Sequence, residues 1–319
     1  MGALTAPARS VWEFPAIGTH WRIDTDAPLE SSVAGRIDDL IARFDAEWSR
    51  FRDDSLVTWL AGDPGAAHGE APGDPAVSAR GAVAPAVRAV AAPADAAAML
   101  DWYADLSDAT DGAINPLVGS SLARRGYDPA YSLVDRGAQA APGSWRDILH
   151  WSDGALRLDR PALIDVGALG KGRLVDLVAR ALDEAAIGPF VVDASGDLVV
   201  RGSAERIALE HPFRPGQAIG VWEISSGALC ASATERRSWP GADGTRLHHV
   251  LDARTGEPVR TVAATWVVAD DAMTADGLAS ALFFDGAEEL AAARGAQWVR
   301  MLTDGRVEWS RGSRAELFA

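Results

Sequence analysis

The stretch from Ile164 to Asp176, IDVGALGKGRLVD, tolerates few local structures. Ile164 and Val166 flank a polar Asp165, the pattern of a strand end. Gly167, Gly170 and Gly172 then break all regular patterning. Beyond them Leu174, Val175, Leu177, Val178, Ala181 and Leu182 recur at helical spacing and form one apolar face. The segment therefore reads strand, glycine turn, helix. Such a turn lets a ligand approach the main chain. The helix start behind it offers free N–H groups and a partial positive charge, both suited to phosphate. Lys171 adds a full charge within the turn. An ordinary strand-to-helix turn with a surface lysine fits the same residues, and this segment alone leaves both readings open.

An anion bound there would meet an unfavourable background, because the 319 residues carry a formal charge of −15. That charge argues against nonspecific binding to nucleic acid or anionic membranes. It also requires a local cation or a metal wherever an anionic substrate binds. The single cysteine, Cys230, excludes an intrachain disulfide and a cysteine-rich zinc site. It sits in GALCASAT and reads as a small packed residue. The first residues lack a basic region followed by an apolar core, and no apolar run reaches about 18 residues. A cytoplasmic address without a membrane segment is therefore expected. With 48% hydrophobic and 24% charged residues, the length suits one large domain or two lobes.

Residues 1–16 read as a loose lead-in, and 17–319 as a single domain. Gly18 to Ile23 starts a strand. Ser31 to Trp48 is an amphipathic helix with Val33, Ile37, Leu40, Ile41, Phe44 and Trp48 on one side. It runs into SRFRDDS, Ser49 to Ser55, either a solvated helix end or a ligand-facing loop. Residues 61–93 are rich in Ala, Gly and Pro and read as a surface insertion. Helical spacing returns over Asp95 to Thr110. Asp111-Gly112 makes a turn, and Asn115-Pro116 opens a short helix ending near Arg124. Residues 128–147 are irregular.

From Trp151 the texture becomes β-like. Runs are expected at Ala155 to Leu158, Phe190 to Asp193, Leu198 to Arg201, Arg206 to Glu210, Gly220 to Ile224, Leu247 to Leu251 and Val262 to Ala269. Thr274 to Phe284 and Ala287 to Ala293 read as helices, and Gln297 to Leu302 with Arg306 to Trp309 as a closing hairpin. Helices early and antiparallel strands late make an α+β pattern.

Four further clusters carry polar groups. Asp193 and Asp197 flank Ser195-Gly196 in VVDASGDLVVRG, which equally suits a plain strand-to-strand turn. LHHVLDARTGEP places His248, His249, Asp252, Arg254 and Thr255 together. In an extended segment the two histidines face opposite ways, so at most one faces a given pocket and the other reads as surface. Asp276 and Ser280 lie four apart on one helical face, where a carboxylate and a hydroxyl can hold a hard cation such as Mg²⁺. A dipole-favouring Asp with a small packing Ser explains the same pair. Ser232, Ala233 and Thr234, with Glu235, Arg236 and Arg237, form a polar rim or a solvated loop.

Taken in order, these pieces resemble the ApbE-type family of FAD:protein FMN transferases, from Gly18-Thr19 to about residue 303. SRFRDDS is similar to the family's Ser-aromatic-Ser segment. TDGAINPLVG, Thr110 to Gly119, resembles G-x-F-D-P-x-V-G. DVGALGKGRLVD resembles D-x-G-x-x-A-K-G-x-x-V-D. ASGD, Ala194 to Asp197, resembles G-G-D. HVLDARTGEP, His249 to Pro258, resembles H-I-x-D-P-x-T-G-x-P, and ADGLASAL, Ala275 to Leu282, resembles A-D-A-L-A-T-A-L.

The resemblance implies a two-lobed α+β fold with an FAD cleft between the lobes. It implies a Mg²⁺ at the diphosphate and transfer of FMN to a Thr or Ser hydroxyl of a target protein, with release of AMP. Carried over by position, Asp276 and Ser280 resemble the metal ligands, aided by a main-chain carbonyl of the Gly167–Gly170 turn. Lys171 faces phosphate, His249 is the base, and Asp252 orients it or approaches the metal. Gly18, Thr19 and the loop bearing Ser49, Arg52 and Ser55 would line the flavin side. Asp197, with Ser195, Gly196, Ser232 and Thr234, would contact the nucleotide. Asp111, Gly112, Asp165, Gly172, Asp176 and Thr255 complete the nucleotide-binding set. The chain departs from the pattern at Ile17 for Met, Asn115 for Asp, Gly170 for Ala, Ser195 for Gly, Ala253 for Pro and Ser280 for Thr. The same residues would also serve a Mg²⁺-dependent FAD pyrophosphatase, and a non-catalytic FAD-binding protein is a third reading.

Overall fold

The strands expected late in the chain gather, with two early ones, into one large sheet. The structure is a computed structural model, and it describes residues 9–62, 88–235 and 237–318. The chain opens with β1 (Ser10–Ala16), β2 (Thr19–Thr25), α1 (Ser31–Trp48), α2 (Leu56–Ala61), β3 (Arg88–Ala91), α3 (Ala96–Ala109) and α4 (Gly119–Arg124). Next come β4 (Leu149–His150), β5 (Ala155–Leu158), α5 (Gly170–Glu184), β6 (Phe190–Asp193), β7 (Asp197–Glu210), β8 (Ala218–Ala233), β9 (Ser238–Pro240) and β10 (Arg246–His248). The remainder is β11 (Leu251–Asp252), β12 (Glu257–Pro258), β13 (Val262–Ala269), α6 (Ala272–Ala281), α7 (Ala287–Ala293), β14 (Gln297–Leu302), β15 (Val307–Trp309) and β16 (Glu316–Leu317). The nine-stranded sheet runs β1-β2-β6-β7-β8-β13-β14-β15, with β16 on β8. All its pairings are antiparallel.

Alternation along the central strands gives the sheet two buried faces. Val199, Ala228, Cys230 and Val267 join the core under the helices. Leu198, Val200, Leu229 and Trp266 point the other way, into a second cluster with Leu209, Trp222 and Ile224. The register of β7 on β8 shifts between Arg201 and Glu205, and the outer part of that long hairpin shares this second cluster. On the first face, α1 buries Val33, Ile37, Ile41, Phe44 and Trp48, a helical stripe that packs with α5.

Several expectations change. The lead-in is not all loose: β1 occupies Ser10–Ala16, while residues 1–8 lie outside the described residues. Of the expected insertion, 63–87 lie outside the described residues, and Arg88–Ala91 pairs with β5. Ile164–Val166 joins no sheet; Asp165 N donates instead to Pro116 O at 2.8 Å. The run Leu247 to Leu251 breaks at His249-Val250, where Val250 N donates to His248 Nδ1. Among the described residues no helix is long and apolar enough to cross a membrane.

The contact between α5 and α6 positions the polar groups discussed below. A Cβ on Gly172 would lie 2.2 Å from Ala272 O and 2.7 Å from the Asp276 Cβ. Gly172 is therefore a packing glycine, and its absent side chain lets the two helices touch. Asp176, one turn further along α5, accepts hydrogen bonds from Ala272 N at 2.7 Å and Met273 N at 2.8 Å. It satisfies donors that the start of α6 would otherwise leave bare. Gly172→Ala is expected to destabilise the protein by about 1–3 kcal/mol, as overpacked cores do, lowering the denaturant midpoint. An unchanged midpoint would show that the helices separate freely.

Candidate functional site

Two adjoining chambers of about 470 and 390 Å³ open beside the tips of two hairpins. One tip is Ile17-Gly18 between β1 and β2, with φ of 44° and 72°; the other is Ser195-Gly196 between β6 and β7, with φ of 60° and 108°. Positive φ at both loop residues suits a two-residue antiparallel hairpin, as at Ile17-Gly18. Strand β2 pairs with β6, and Ser195 Oγ donates to His20 O at 2.8 Å, which brings the tips together. Gly18, Thr19, Asp165, Gly167, Lys171 and Arg237 line both chambers. The larger one adds Asn115, Ser195, Ser232, His249, Asp276 and Ser280. The smaller adds Ser49, Arg52 and Gly170, with an aromatic wall of Phe44, Trp48 and Tyr131.

Asp276 and Ser280 thus share a cavity with Lys171 and His249, although they come from three separate segments. Asp276 is buried, and its Oδ2 accepts from Gly172 N at 2.8 Å. Burial raises its carboxyl to about 6, against the opposing charge of Lys171 and the Gly172 hydrogen bond. Lys171 Nζ is ion-paired with the fully buried Asp197, whose Oδ1 has no hydrogen-bond partner among the described residues. Burial pulls the Lys171 ammonium below its ordinary value.

The glycine turn does not offer an amide cradle. Gly167 N donates to Asp165 Oδ1 at 2.7 Å, and Ala168 N to the Tyr103 hydroxyl at 3.3 Å. Leu169 N and Gly170 N both donate to Val166 O, and Gly172 N is taken by Asp276. The free helix-start N–H groups expected from the sequence are therefore largely engaged within the fold. Lys171 contributes charge at this turn, while the glycines serve packing and turn geometry.

His249 lines the larger chamber, and its Nδ1 has no hydrogen-bond partner among the described residues. Burial lowers its pKa to about 3, with the charge of Arg237 acting in the same direction. The expected surface neighbour, His248, is instead buried, with its Nε2 2.7 Å from Val259 O.

Other expected residues fall elsewhere. Asp252 lines a different cavity, together with Asp111 and Thr255, and both its oxygens are held by Arg254. Asp252 is thus engaged away from His249. The Asp111 side chain is fully exposed. Ser55 is buried and caps α2 by accepting from Thr58 N. Thr234 is buried and donates to Ala263 O. Gly112, Gly172, Asp176, Gly196 and Thr234 line neither chamber. Arg52 reaches the smaller chamber, but it pairs with Asp45 and Asp54. The sequence reading missed Arg50, which is 3% exposed and ion-paired with Asp165. Through Asp165 it braces the turn at Gly167, while Tyr103 donates to Asp165 O at 3.0 Å from the other side.

The family model for ApbE matches residues 17–301. The chain belongs to the ApbE family. It is 27% identical to the FAD:protein FMN transferase of Rhodobacter capsulatus over 94% of this chain, though the match spans only 57% of that relative's length. An Escherichia coli K12 protein of the same name is 27% identical over 56% of each chain. Among solved structures, the ApbE protein of Thermotoga maritima superposes with a TM-score of 0.76 at 23% identity, covering 95% of this chain and 97% of its own. The flavin transferase ApbE of Vibrio cholerae gives 0.73 at 21% identity, with the same coverage of each chain. These likenesses show that the fold is shared over nearly the whole chain.

Three of the departures from the ApbE pattern, at Ala253, Asn115 and Gly170, have local physical reasons. Ala253 N donates to Ala113 O at 3.0 Å, a bond that proline could not make. Asn115 Nδ2 donates to Pro142 O at 2.9 Å while its Oδ1 accepts from Leu117 N, a donor-acceptor pair unavailable to a carboxylate. A Cβ on Gly170 would come 2.8 Å from Val166 Cγ2. Ser195, by contrast, holds a left-handed conformation that glycine would adopt more easily, and its hydroxyl donates to His20 O.

Two measurements follow from this geometry. Arg50→Met strands a buried Asp165 carboxylate and is expected to cost about 3–5 kcal/mol of stability, read by denaturant unfolding; a loss under about 1 kcal/mol would show that solvent reaches Asp165. His249 has a folded value below its ordinary 6.5, so its neutral form contributes stability at neutral pH that is lost on acidification below 6.5. In an NMR titration of the ligand-free protein, its ring signals should hold still between about pH 8 and about pH 5. A midpoint near 6.5 would contradict the burial.

Proposed function

We propose that this protein transfers the FMN half of FAD to a Thr or Ser hydroxyl of a target protein and releases AMP, with Mg²⁺ at the diphosphate. The observation that carries this reading is the convergence of Asp276, Ser280, Lys171 and His249 on one cavity within an ApbE fold. The relatives' shared name supports the same reading.

The donor set fits Mg²⁺. Among the described residues no three His, Cys, Asp or Glu side chains cluster as a metal cage. Mg²⁺ commonly takes one or two carboxylates, retains waters and shares substrate phosphates, so a lone carboxylate beside a hydroxyl suffices. Asp276, Ser280 and the Gly167 main-chain carbonyl would hold it. When bound, the ion would offset charge on the diphosphate and on the phosphoryl group being transferred.

The chain's own groups do the rest. Lys171 meets the diphosphate, and its ion pair with Asp197 fixes where the ammonium sits. Ser195 and Ser232 of the larger chamber would take the nucleotide side, and Ser49 of the smaller, with Gly18 and Thr19 of both, the flavin side. His249, neutral in the ligand-free protein, takes the proton of the acceptor hydroxyl. The acceptor oxygen bonds to the FMN phosphorus, the diphosphate bridge breaks, and AMP departs. An anionic diphosphate beside His249 raises its basicity from the ligand-free value.

Incubation with FAD, Mg²⁺ and candidate acceptor proteins should add the mass of one FMN to a Thr- or Ser-bearing peptide. Free FMN and AMP without labelled protein would instead identify a pyrophosphatase, and FAD binding without either product a binding protein. Asp276→Ala should lower Mg²⁺-dependent turnover roughly a hundredfold or more, with FAD affinity in EDTA little changed. Equal losses of both would contradict the metal role.

A further inference from the structure

Four Lys or Arg side chains line the two chambers: Lys171, Arg50, Arg52 and Arg237. Three of them are already committed to carboxylates, Lys171 to Asp197, Arg50 to Asp165 and Arg52 to Asp45 and Asp54. Arg237 forms no ion pair among the described residues. It is exposed, lines both chambers, and donates from Nη1 to the Tyr127 hydroxyl at 2.9 Å. Tyr127 is itself buried and stacked on Trp239, so the guanidinium is held on a fixed post.

We propose that Arg237 is the specificity-determining cation of the cleft, the side chain that grips the diphosphate and so distinguishes a dinucleotide from an uncharged flavin. The inference rests on the FAD reading given above. It follows from two accounts of the site. The main-chain N–H groups of Gly167, Ala168, Leu169, Gly170 and Gly172 are engaged inside the fold, so the glycine turn has few amides to offer an anion. The formal charge of −15 opposes an anion everywhere else. A guanidinium lining both chambers with no carboxylate partner among the described residues answers both, and its planar fork matches phosphate oxygens in pairs. Its charge reaches the catalytic groups as well, lowering the proton affinity of Lys171, His249 and Asp276. A bound diphosphate that neutralises Arg237 would lift that influence from His249 when the acceptor hydroxyl must give up its proton.

The test compares FAD and riboflavin binding to the full chain by fluorescence in EDTA, for wild type, Arg237→Gln and Arg237→Lys. Arg237→Gln should weaken FAD about tenfold or more, the loss of one charge-assisted contact, and leave riboflavin unchanged. Arg237→Lys should restore part of the loss, since it keeps the charge but not the fork. The dependence of FAD affinity on salt should also be shallower in the Gln variant. Equal FAD affinity in wild type and Arg237→Gln would overturn the assignment, as would equal losses for FAD and riboflavin. A wild-type chain that binds neither ligand would sink the FAD reading itself, and this inference with it.

Discussion

The hydrogen bond from Gly172 N to Asp276 Oδ2 is the contact on which the site depends. It joins α5 to α6 across 104 residues of sequence and exists only because position 172 carries no side chain. The same approach seats Asp176 under the first turn of α6. One glycine therefore fixes a carboxylate beside Lys171, one residue earlier on α5. The Asp276 carboxylate of α6 and the Lys171 ammonium of α5 are two sides of one helix packing.

Around that contact the cleft is built largely from charges that already answer one another. Asp165 is held by Arg50, Asp197 by Lys171, and the turn's amides by Asp165, Tyr103 and Val166. Buried ion pairs add little net stability against an apolar alternative, but they resist loss of either partner. Their effect here is positional. Among the described residues they leave Arg237, of the chambers' Lys and Arg side chains, without a carboxylate partner, its Nη1 donating to the Tyr127 hydroxyl.

Much of this was legible in the sequence where periodicity is strong. Helix α1 runs over the span its apolar spacing gave, and β5, β6, β13 and β14 match their β-like runs. The two-faced sheet follows from alternation at Leu198 to Val200. What was not legible depends on distant partners. Arg50 looked like one polar residue among several in SRFRDDS, and only folding brings it to Asp165, 115 residues away. Ile164–Val166 has strand-like residues, but Asp165 is drawn off to Pro116 and Arg50 rather than to a neighbouring strand. Asp176 sits in a matching motif and Thr234 in the expected nucleotide turn, yet both serve the main chain. Asp252 stands three residues from His249 and is nevertheless held by Arg254 in another cavity.

The central claim is that the diphosphate of a flavin dinucleotide lies between Lys171 and a cation held by Asp276. A crystal structure of the protein with FAD and Mn²⁺, with the metal located by its anomalous scattering, tests this directly. The account predicts a metal peak within about 2.2 Å of an Asp276 carboxylate oxygen and in contact with the diphosphate. A metal peak remote from Asp276, or FAD bound outside the two chambers, would contradict it.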